Sequence, residues 1–599
     1  MSMPLHRIRR VAALGLLTAC LGAWGAAGAA AQPLRVVDDH GHDVEDNLAL
    51  RERAGRRVEW RAQASSSGHL LPVKLLAIND FHGQITAGRT VGGRPVGSAP
   101  VLVSYLRDAA SEVPDGQSFI VHAGDHVGVS PPASALLADE PSISFMNVLA
   151  NHHCRFHETQ DPHCNMVGAL GNHEFDKGRA ELLRLIQGGN HPDGPFLEDP
   201  YAGARFPYVA ANVVDSTTGK TILPPYVIGQ VNGVRIAFIG VVLKDTPTIV
   251  TPAAVAGLRF LDEAESINRY VGELKQKNVH AFVALIHQGG NQATVPGPTP
   301  SGAVVTGPIA GIVSLLDDEV DVVVSGHTHA FTNALLPGRT GKPILVVQAF
   351  ASGTSYADID LSLDPSSKDV VAKSAAIVST FADAGPGLTP DPETADLVRR
   401  AEAVVGPLVN RVIGQAAFNM NRVASRAGES AIGNLVADAQ RVVGDSDIGF
   451  TNQGGLRGDL PAGPVTWAQA FAVQPFTNTL VTMTLTGQQL YDALNQQWIN
   501  QPFPRILQIS GLTYTWDGTR PVGDRILEAF HDGAPIDRFA SYSVTVNSFL
   551  ASGGDNMSIF RLGTDRVVGP TDLEALILYI QSLPQPFGVA VEGRIQRLD

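Results

Sequence analysis

The chain has 599 residues, of which 17% are charged and 44% apolar, and its formal net charge is −14. At roughly 100–200 residues per domain this length calls for more than one domain, and the ordinary apolar share excludes wholesale disorder. The 61 Gly and 39 Pro follow no fixed period, which excludes a fibrous repeat, and the acidic balance argues against a nucleic-acid polymer as partner, since that needs a Lys/Arg-rich face.

Arg7, Arg9 and Arg10 precede an apolar run from Val11 to Ala31 that ends Ala29-Ala30-Ala31-Gln32. A basic start, an apolar middle and a small-residue end predict a signal peptide over 1–31. The protein is then exported, to the periplasm or the cell surface. A transmembrane anchor fits less well, because the run is mostly Ala, Gly and Leu. Leu17-Thr18-Ala19-Cys20 also resembles a lipoprotein cleavage box, which would place a lipid anchor on Cys20. No other stretch is apolar enough to span a bilayer. Loss of the leader removes three arginines and no acid, moving the net charge from −14 to −17.

Residues 32–70 are polar and aperiodic and read as a mobile lead-in. From Val73 onward short apolar runs alternate with helical stretches, the pattern of an α/β domain. The predicted strands are Val73–Ile78, Phe119–His122, Val209–Val213, Val234–Val242, Ala281–Ile286, Val320–Val324 and Ile344–Gln348. Cleavage after Ala31 leaves two cysteines, Cys154 and Cys164, and an oxidising compartment favours a disulfide between them. Neighbouring histidines could instead hold a soft metal there, but their spacing matches no zinc pattern. The first domain is placed at 71–385. Gly385-Pro386-Gly387 breaks the chain, and a linker helix follows over 386–405 with Leu397, Ala401 and Val404 on one face. A second domain fills 406–599.

Polar clusters follow several of these runs: Asn79-Asp80-Phe81-His82-Gly83, Gly124-Asp125-His126, Gly171-Asn172-His173-Glu174-Phe175-Asp176, His287-Gln288 and Gly326-His327-Thr328-His329. Ligands gather outside the carboxyl ends of strands in α/β sheets. Carboxylate, imidazole and carboxamide donors without a thiolate suit divalent first-row metals. Taken together the series resembles the calcineurin-like metallophosphoesterases. The resemblance implies a four-layer α/β/β/α sandwich and two divalent metal ions. Asp80, His82, Asp125 and His329 would hold one ion; Asp125, Asn172, His287 and His327 the other. An imidazole at 329, where relatives can carry Gln, favours Mn, Co, Ni or Zn over Mg. His173 and Asp176 would form the catalytic dyad. His126 has no role in that pattern and reads as a solvated neighbour.

The second domain carries Arg422 and Arg426, Gly433-Asn434-Leu435, Asn452-Gln453-Gly454-Gly455-Leu456-Arg457, Phe476-Thr477-Asn478 and Phe549-Leu550-Ala551-Ser552-Gly553-Gly554-Asp555. Arginine forks suit phosphate, and two phenylalanines in loops can sandwich a flat ring. These segments resemble the smaller α/β substrate-binding domain of the 5′-nucleotidases. The resemblance implies phosphate contacts from Arg422, Arg426 and Arg457, nucleoside contacts from Asn452 and Asn478, base stacking from Phe476 and Phe549, and a ribose contact from Asp555. It also implies that the second domain swings substrate to the metals. The expected reaction is hydrolysis of nucleoside 5′-phosphates, with di- and triphosphates or nucleotide sugars as further substrates. A 2′,3′-cyclic nucleotide 2′-phosphodiesterase with 3′-nucleotidase activity and a catalytically silent nucleotide-binding surface protein are the alternatives.

Overall fold

A computed structural model describes residues 70–156 and 161–599. The expected leader, Cys20 and nearly all of the lead-in lie outside the described residues. Two six-stranded sheets come first. The strands are β1 (Leu71–Ile78), β2 (Ser118–Ala123), β3 (Met166–Ala169), β4 (Tyr208–Val209), β5 (Tyr226–Val231), β6 (Val234–Val242), β7 (Ala281–His287), β8 (Val320–Ser325), β9 (Phe331–Pro337), β10 (Pro343–Ala349), β11 (Ser355–Asp364) and β12 (Asp369–Ser379). One sheet runs β12-β11-β1-β2-β3-β4 and the other β9-β10-β8-β7-β6-β5. In the first, β1, β2, β3 and β4 are parallel, so their carboxyl ends share one edge. In the second, β6, β7, β8 and β10 are parallel.

Strands covered on both faces read as unbroken apolar runs, and β7 is buried along its whole length. Val73, Leu75, Phe119 and Val121 from one sheet meet Phe238, Val283, Leu285 and Val322 from the other in a core between them. The outer face of the first sheet is covered by α1 (Ala99–Ala110), α2 (Glu140–Asn147) and α3 (Gly178–Gln187). The outer face of the second is covered by α4 (Glu263–Lys275) and α5 (Pro308–Val313). This is the expected four-layer sandwich.

The expected strand Val209–Val213 breaks after Val209, because the chain crosses between the sheets: Ala211 N–H donates to the Gly240 carbonyl at 2.6 Å. In the segment expected as a linker lies α6 (Pro392–Val409), a helix capped by Asp391, whose side chain accepts from Thr394 N–H. Its buried face is Leu397, Val398, Ala401 and Val405, whereas Val404 is 53% exposed. Val404 therefore corrects the expected stripe. Burial of Thr394 and Val398 shifts the centre of the buried face to between Ala401 and Val405, which leaves Val404 on its flank.

Beyond α6 lie α7 (Ala431–Val443), α8 (Trp467–Val473) and α9 (Asp572–Ser582), with a five-stranded sheet. Its strands are β13 (Ile448–Asn452), β14 (Thr479–Thr486), β15 (Leu507–Ser510), β16 (Ser541–Asn547) and β17 (Thr564–Thr571), in the order β15-β13-β16-β14-β17. Asn452 ends β13 and Phe476 and Asn478 precede β14, so both segments reach the same cleft from different elements.

Candidate active site

The loop after β1 carries Asp80 and His82, the loop after β2 carries Asp125, and the turn after β3 carries Asn172. His287 ends β7, and His327 and His329 follow β8. All seven converge at the shared carboxyl edge. Asp80, His82, Asp125, His327 and His329 have positive φ, between 47° and 73°. Such backbone costs of order 1–3 kcal/mol per residue and persists only where the surroundings hold it. Here the close approach of two loops does so. A Cβ on Gly124 would lie 2.4 Å from Gly171 N, and one on Gly171 would lie 2.2 Å from Asp125 Oδ1.

Two donor groups result: Asp80, His82 and His329, and Asp125, His287 and His327. His82 Nε2 is 3.0 Å from His329 Nε2, which in turn is 3.5 Å from Asp80 Oδ1. His82 Nδ1 is 2.9 Å from the Gly128 carbonyl, so this nitrogen carries the proton and Nε2 presents a lone pair. Burial, reinforced by His329, pushes His82 down to about 3, which keeps it neutral. In the second group His287 Nδ1 donates to the Ala123 carbonyl at 2.7 Å. Its Nε2 faces Asp125 Oδ2 at 3.0 Å and Asn172 Oδ1 at 3.2 Å. His327 Nδ1 is 3.1 Å from the same Asn172 oxygen.

The donor set fits two cations. Asp125 Oδ2 is fully buried, with the His287 imidazole as its adjacent partner. Burial opposes a charge on His287, but the Asp125 carboxylate outweighs it and lifts the imidazole to about 9. A proton thus sits where a cation would. Neighbouring ligands about 2.1 Å from a six-coordinate ion lie about 3.0 Å apart, which matches the His82–His329 nitrogens.

His173 lies beside this set. Its N–H donates to Asp125 Oδ1 at 2.8 Å, and its Nδ1 is 2.8 Å from Asp176 Oδ2. A carboxylate can only accept, so Nδ1 bears the proton and Asp176 fixes the ring. The His82 ring is 5.3 Å away, edge-on. Sequence reasoning assigned nothing to the residue between them, Glu174. Its buried carboxylate accepts from Gly171 N–H at 2.6 Å, Asp125 N–H at 3.0 Å and His126 N–H at 2.8 Å. It therefore ties the loop after β2 to the turn after β3. The place of Glu174 inside the motif was the available signal.

His126 departs from its expected solvated position. It is buried between Phe81 and Phe145, with centroids at 5.1 and 5.5 Å, and its Nε2 lies 2.8 Å from the Ser142 carbonyl. Burial pushes it down to about 4, so it is a neutral packing residue beneath the metal loop.

A cavity of about 780 Å³ opens from the metal residues onto the later sheet. Asn172, His173, Asp176 and His327 line one wall, and Asn452, Arg457, Phe476, Asn478, Phe549 and Asp555 line the other. The Phe476 ring stacks on His173 at 5.9 Å and 27°. Asn452 Nδ2 donates to Asp555 Oδ2 at 3.0 Å. Arg422 and Arg426 are not on this wall. Arg422 is buried and donates to Asp459 Oδ1 and the Leu456 carbonyl, and Arg426 bonds the Asp599 carbonyl. Arg505 occupies the cleft instead, paired with Asp555 and lying 4.9 Å from the Phe503 ring. Its segment, Gln501-Pro502-Phe503-Pro504-Arg505, belongs to no motif and gave no sequence signal. Asn434 bonds Glu429 and the Ala590 carbonyl, away from the cleft.

Residues 73–331 match the family described as calcineurin-like phosphoesterase, and residues 412–561 match the 5′-nucleotidase C-terminal domain. The chain belongs to the 5′-nucleotidase family. It is 35% identical to the endonuclease YhcR of Bacillus subtilis over 90% of its own length, but spans only 42% of that protein. It is 33% identical to the cell wall protein Lmo0130 of Listeria monocytogenes, covering 86% of this chain and 68% of that one. The crystal structure of a 5′-nucleotidase precursor from Thermus thermophilus superposes with a TM-score of 0.70 at 27% identity, covering 88% of this chain and 100% of that one.

Family and fold give this chain a metal-dependent phosphoesterase domain. Divalent ions held by these donors would supply an activated water and charge stabilisation for an in-line displacement. The chain's own part is to hold the donors in place and to fix the His173 ring through Asp176.

Proposed function

We propose that this protein is an exported 5′-nucleotidase that hydrolyses nucleoside 5′-phosphates to nucleoside and phosphate. The observation that carries the reading is the contact between His173 and Phe476, which brings an aromatic platform against the metal-centre histidine. A base lying on Phe476 and facing Phe549 places its 5′-phosphate within reach of the metal residues. Asp80, His82, Asp125, Asn172, His287, His327 and His329 hold two ions, of Mn, Zn or Co. His173 stabilises charge on the phosphoryl or leaving oxygen, with its proton inventory set by Asp176. Asn452, Asn478 and Asp555 read the nucleoside, and Arg457 with Arg505 supplies the cationic attraction that an acidic protein needs for an anionic substrate. Arg422 and Arg426 enter only if the later residues rotate. The chain divides functionally into 71–385, a linker over 386–405, and 406–599.

Export is supported by the leader-like first 31 residues and by a relative named as a cell wall protein. Among the described residues no helix is long and apolar enough to cross a membrane. A second reading, cleavage of phosphodiesters, is favoured by the identity to a protein named as an endonuclease. Hydrolysis of AMP, UDP-glucose and 2′,3′-cyclic AMP with added Mn²⁺, followed by chromatography of the nucleoside products as well as by phosphate release, tests both. Rapid release from AMP is expected. Turnover of the cyclic diester alone would replace the first reading with the second.

A further inference from the structure

Cys154 and Cys164 are joined in a disulfide, as the sequence favoured, and the bond closes a loop at the amino end of β3, opposite the active site. The loop is anchored on both sides. Asn165 Oδ1 accepts from Asn151 N–H at 2.8 Å, and Gln230 N–H of β5 donates to the Pro162 carbonyl at 2.8 Å. The clip therefore holds one sheet against the other.

The closure also gathers side chains that sequence spacing keeps apart. His153 Nδ1 lies 2.8 Å from Asp161 Oδ2, and His163 Nδ1 lies 3.0 Å from Asp161 Oδ1. One ligand atom from each residue falls within 4.8 Å of the others. The two imidazoles are 5.5 Å apart between centroids, and the His152 ring lies tilted against His153 at 4.0 Å. All three groups are partly exposed, so an ion can reach them from solvent. We propose that His153, Asp161 and His163 form a third metal site, for a late first-row divalent ion, separate from the dinuclear centre.

The chemistry is imidazole, imidazole and carboxylate with room for water, a set that suits Zn, Cu or Ni. Without metal, each Nδ1–H donates to one oxygen of Asp161. An ion at either Nδ1 replaces that hydrogen bond and leaves the ring proton on Nε2, and because a ligating imidazole must be neutral, binding weakens in acid. The spacing from His153 to Asp161 matches no zinc motif because the disulfide, not a local turn, sets the geometry. A plainer role for Asp161 competes with this one: its Oδ1 also accepts from His163 N–H at 2.9 Å and caps the turn.

Equilibrium dialysis of the full-length protein against Zn²⁺, with metal counted per chain, tests the site. The wild type should hold one ion more than His153→Ala/His163→Ala, with phosphoesterase activity unchanged. Asp161→Asn separates the two roles, because it keeps the turn-capping oxygen but loses the anionic one. It should bind this ion at least about 10-fold more weakly. The difference of one ion should persist in an Asp80→Asn/His287→Ala background, which cripples the dinuclear centre and so keeps its failure distinct. Equal zinc counts in wild type and the double variant, or full affinity in Asp161→Asn, would overturn the proposal.

Discussion

Glu174→Gln asks whether the metal loops are held by a single carboxylate. In the native protein one oxygen accepts from Gly171 and Asp125, and the other accepts from His126. If the glutamine oxygen keeps the first pair, its NH₂ faces the His126 N–H, donor against donor. A buried donor left unsatisfied costs about 1–3 kcal/mol, and two charge-assisted bonds weakened to neutral ones lose about 0.5–1.5 kcal/mol each. The sum is about 2–6 kcal/mol, concentrated where Asp125 leaves β2 with positive φ. Thermal unfolding should shift down by several degrees, and Mn²⁺ titrations of activity should need more metal, because Asp125 belongs to the proposed bridging position. Both readouts matter. Wild-type Tm and wild-type metal dependence in the variant would refute the idea that Glu174 clamps the centre.

Other consequences can be checked separately. His173→Ala should lower kcat by about 10²–10⁴ with metal content retained, as expected for loss of a positioned acid or base; a full-rate variant removes it from the mechanism. Dialysis against a chelator should abolish hydrolysis and lower Tm, with both restored by Mn²⁺, and activity that survives chelation contradicts the metal assignment. Phe476→Ala should cut kcat/KM for AMP by about 5–150-fold, the roughly 1–3 kcal/mol of base stacking, while 4-nitrophenyl phosphate loses little. Burial pushes Asp572, which bonds Asn478, up to about 7. The folded state then keeps a proton that the unfolded chain releases near about pH 3.9, so stability from this group falls between about pH 4 and 7. By pH 8 the cost is about 4 kcal/mol, and Asp572→Asn should recover much of it; parallel stability profiles from about pH 5 to 8 would show the carboxyl unshifted.

Most of the candidate metal ligands were legible because they sit within five positions beyond an apolar run, and parallel strands bring such positions to one edge. Val234–Val242 and Val320–Ser325 are read from composition alone, since strands buried on both faces have no alternation to disguise them. Met166–Ala169 was not, because four residues including a glycine give no periodic signal, although this strand delivers Asn172 and His173. His126 was misplaced for a related reason: its neighbour Asp125 is polar and functional, but the side chain turns into the aromatic layer under the loop.

The far wall of the cleft shows the limit most clearly. Motifs pointed to Arg457, Phe476 and Phe549, yet Arg422 and Arg426 are bonded elsewhere and Arg505 stands in the cavity. An arginine's chain is long enough to reach several partners, so its position along the sequence does not settle which one it takes. Sequence alone determined the donor chemistry, the parallel strands that gather it and the cysteines that pair. Tertiary structure decided which cations face the substrate, how Glu174 locks two loops and where His153 meets His163, because those contacts join residues that no local pattern relates.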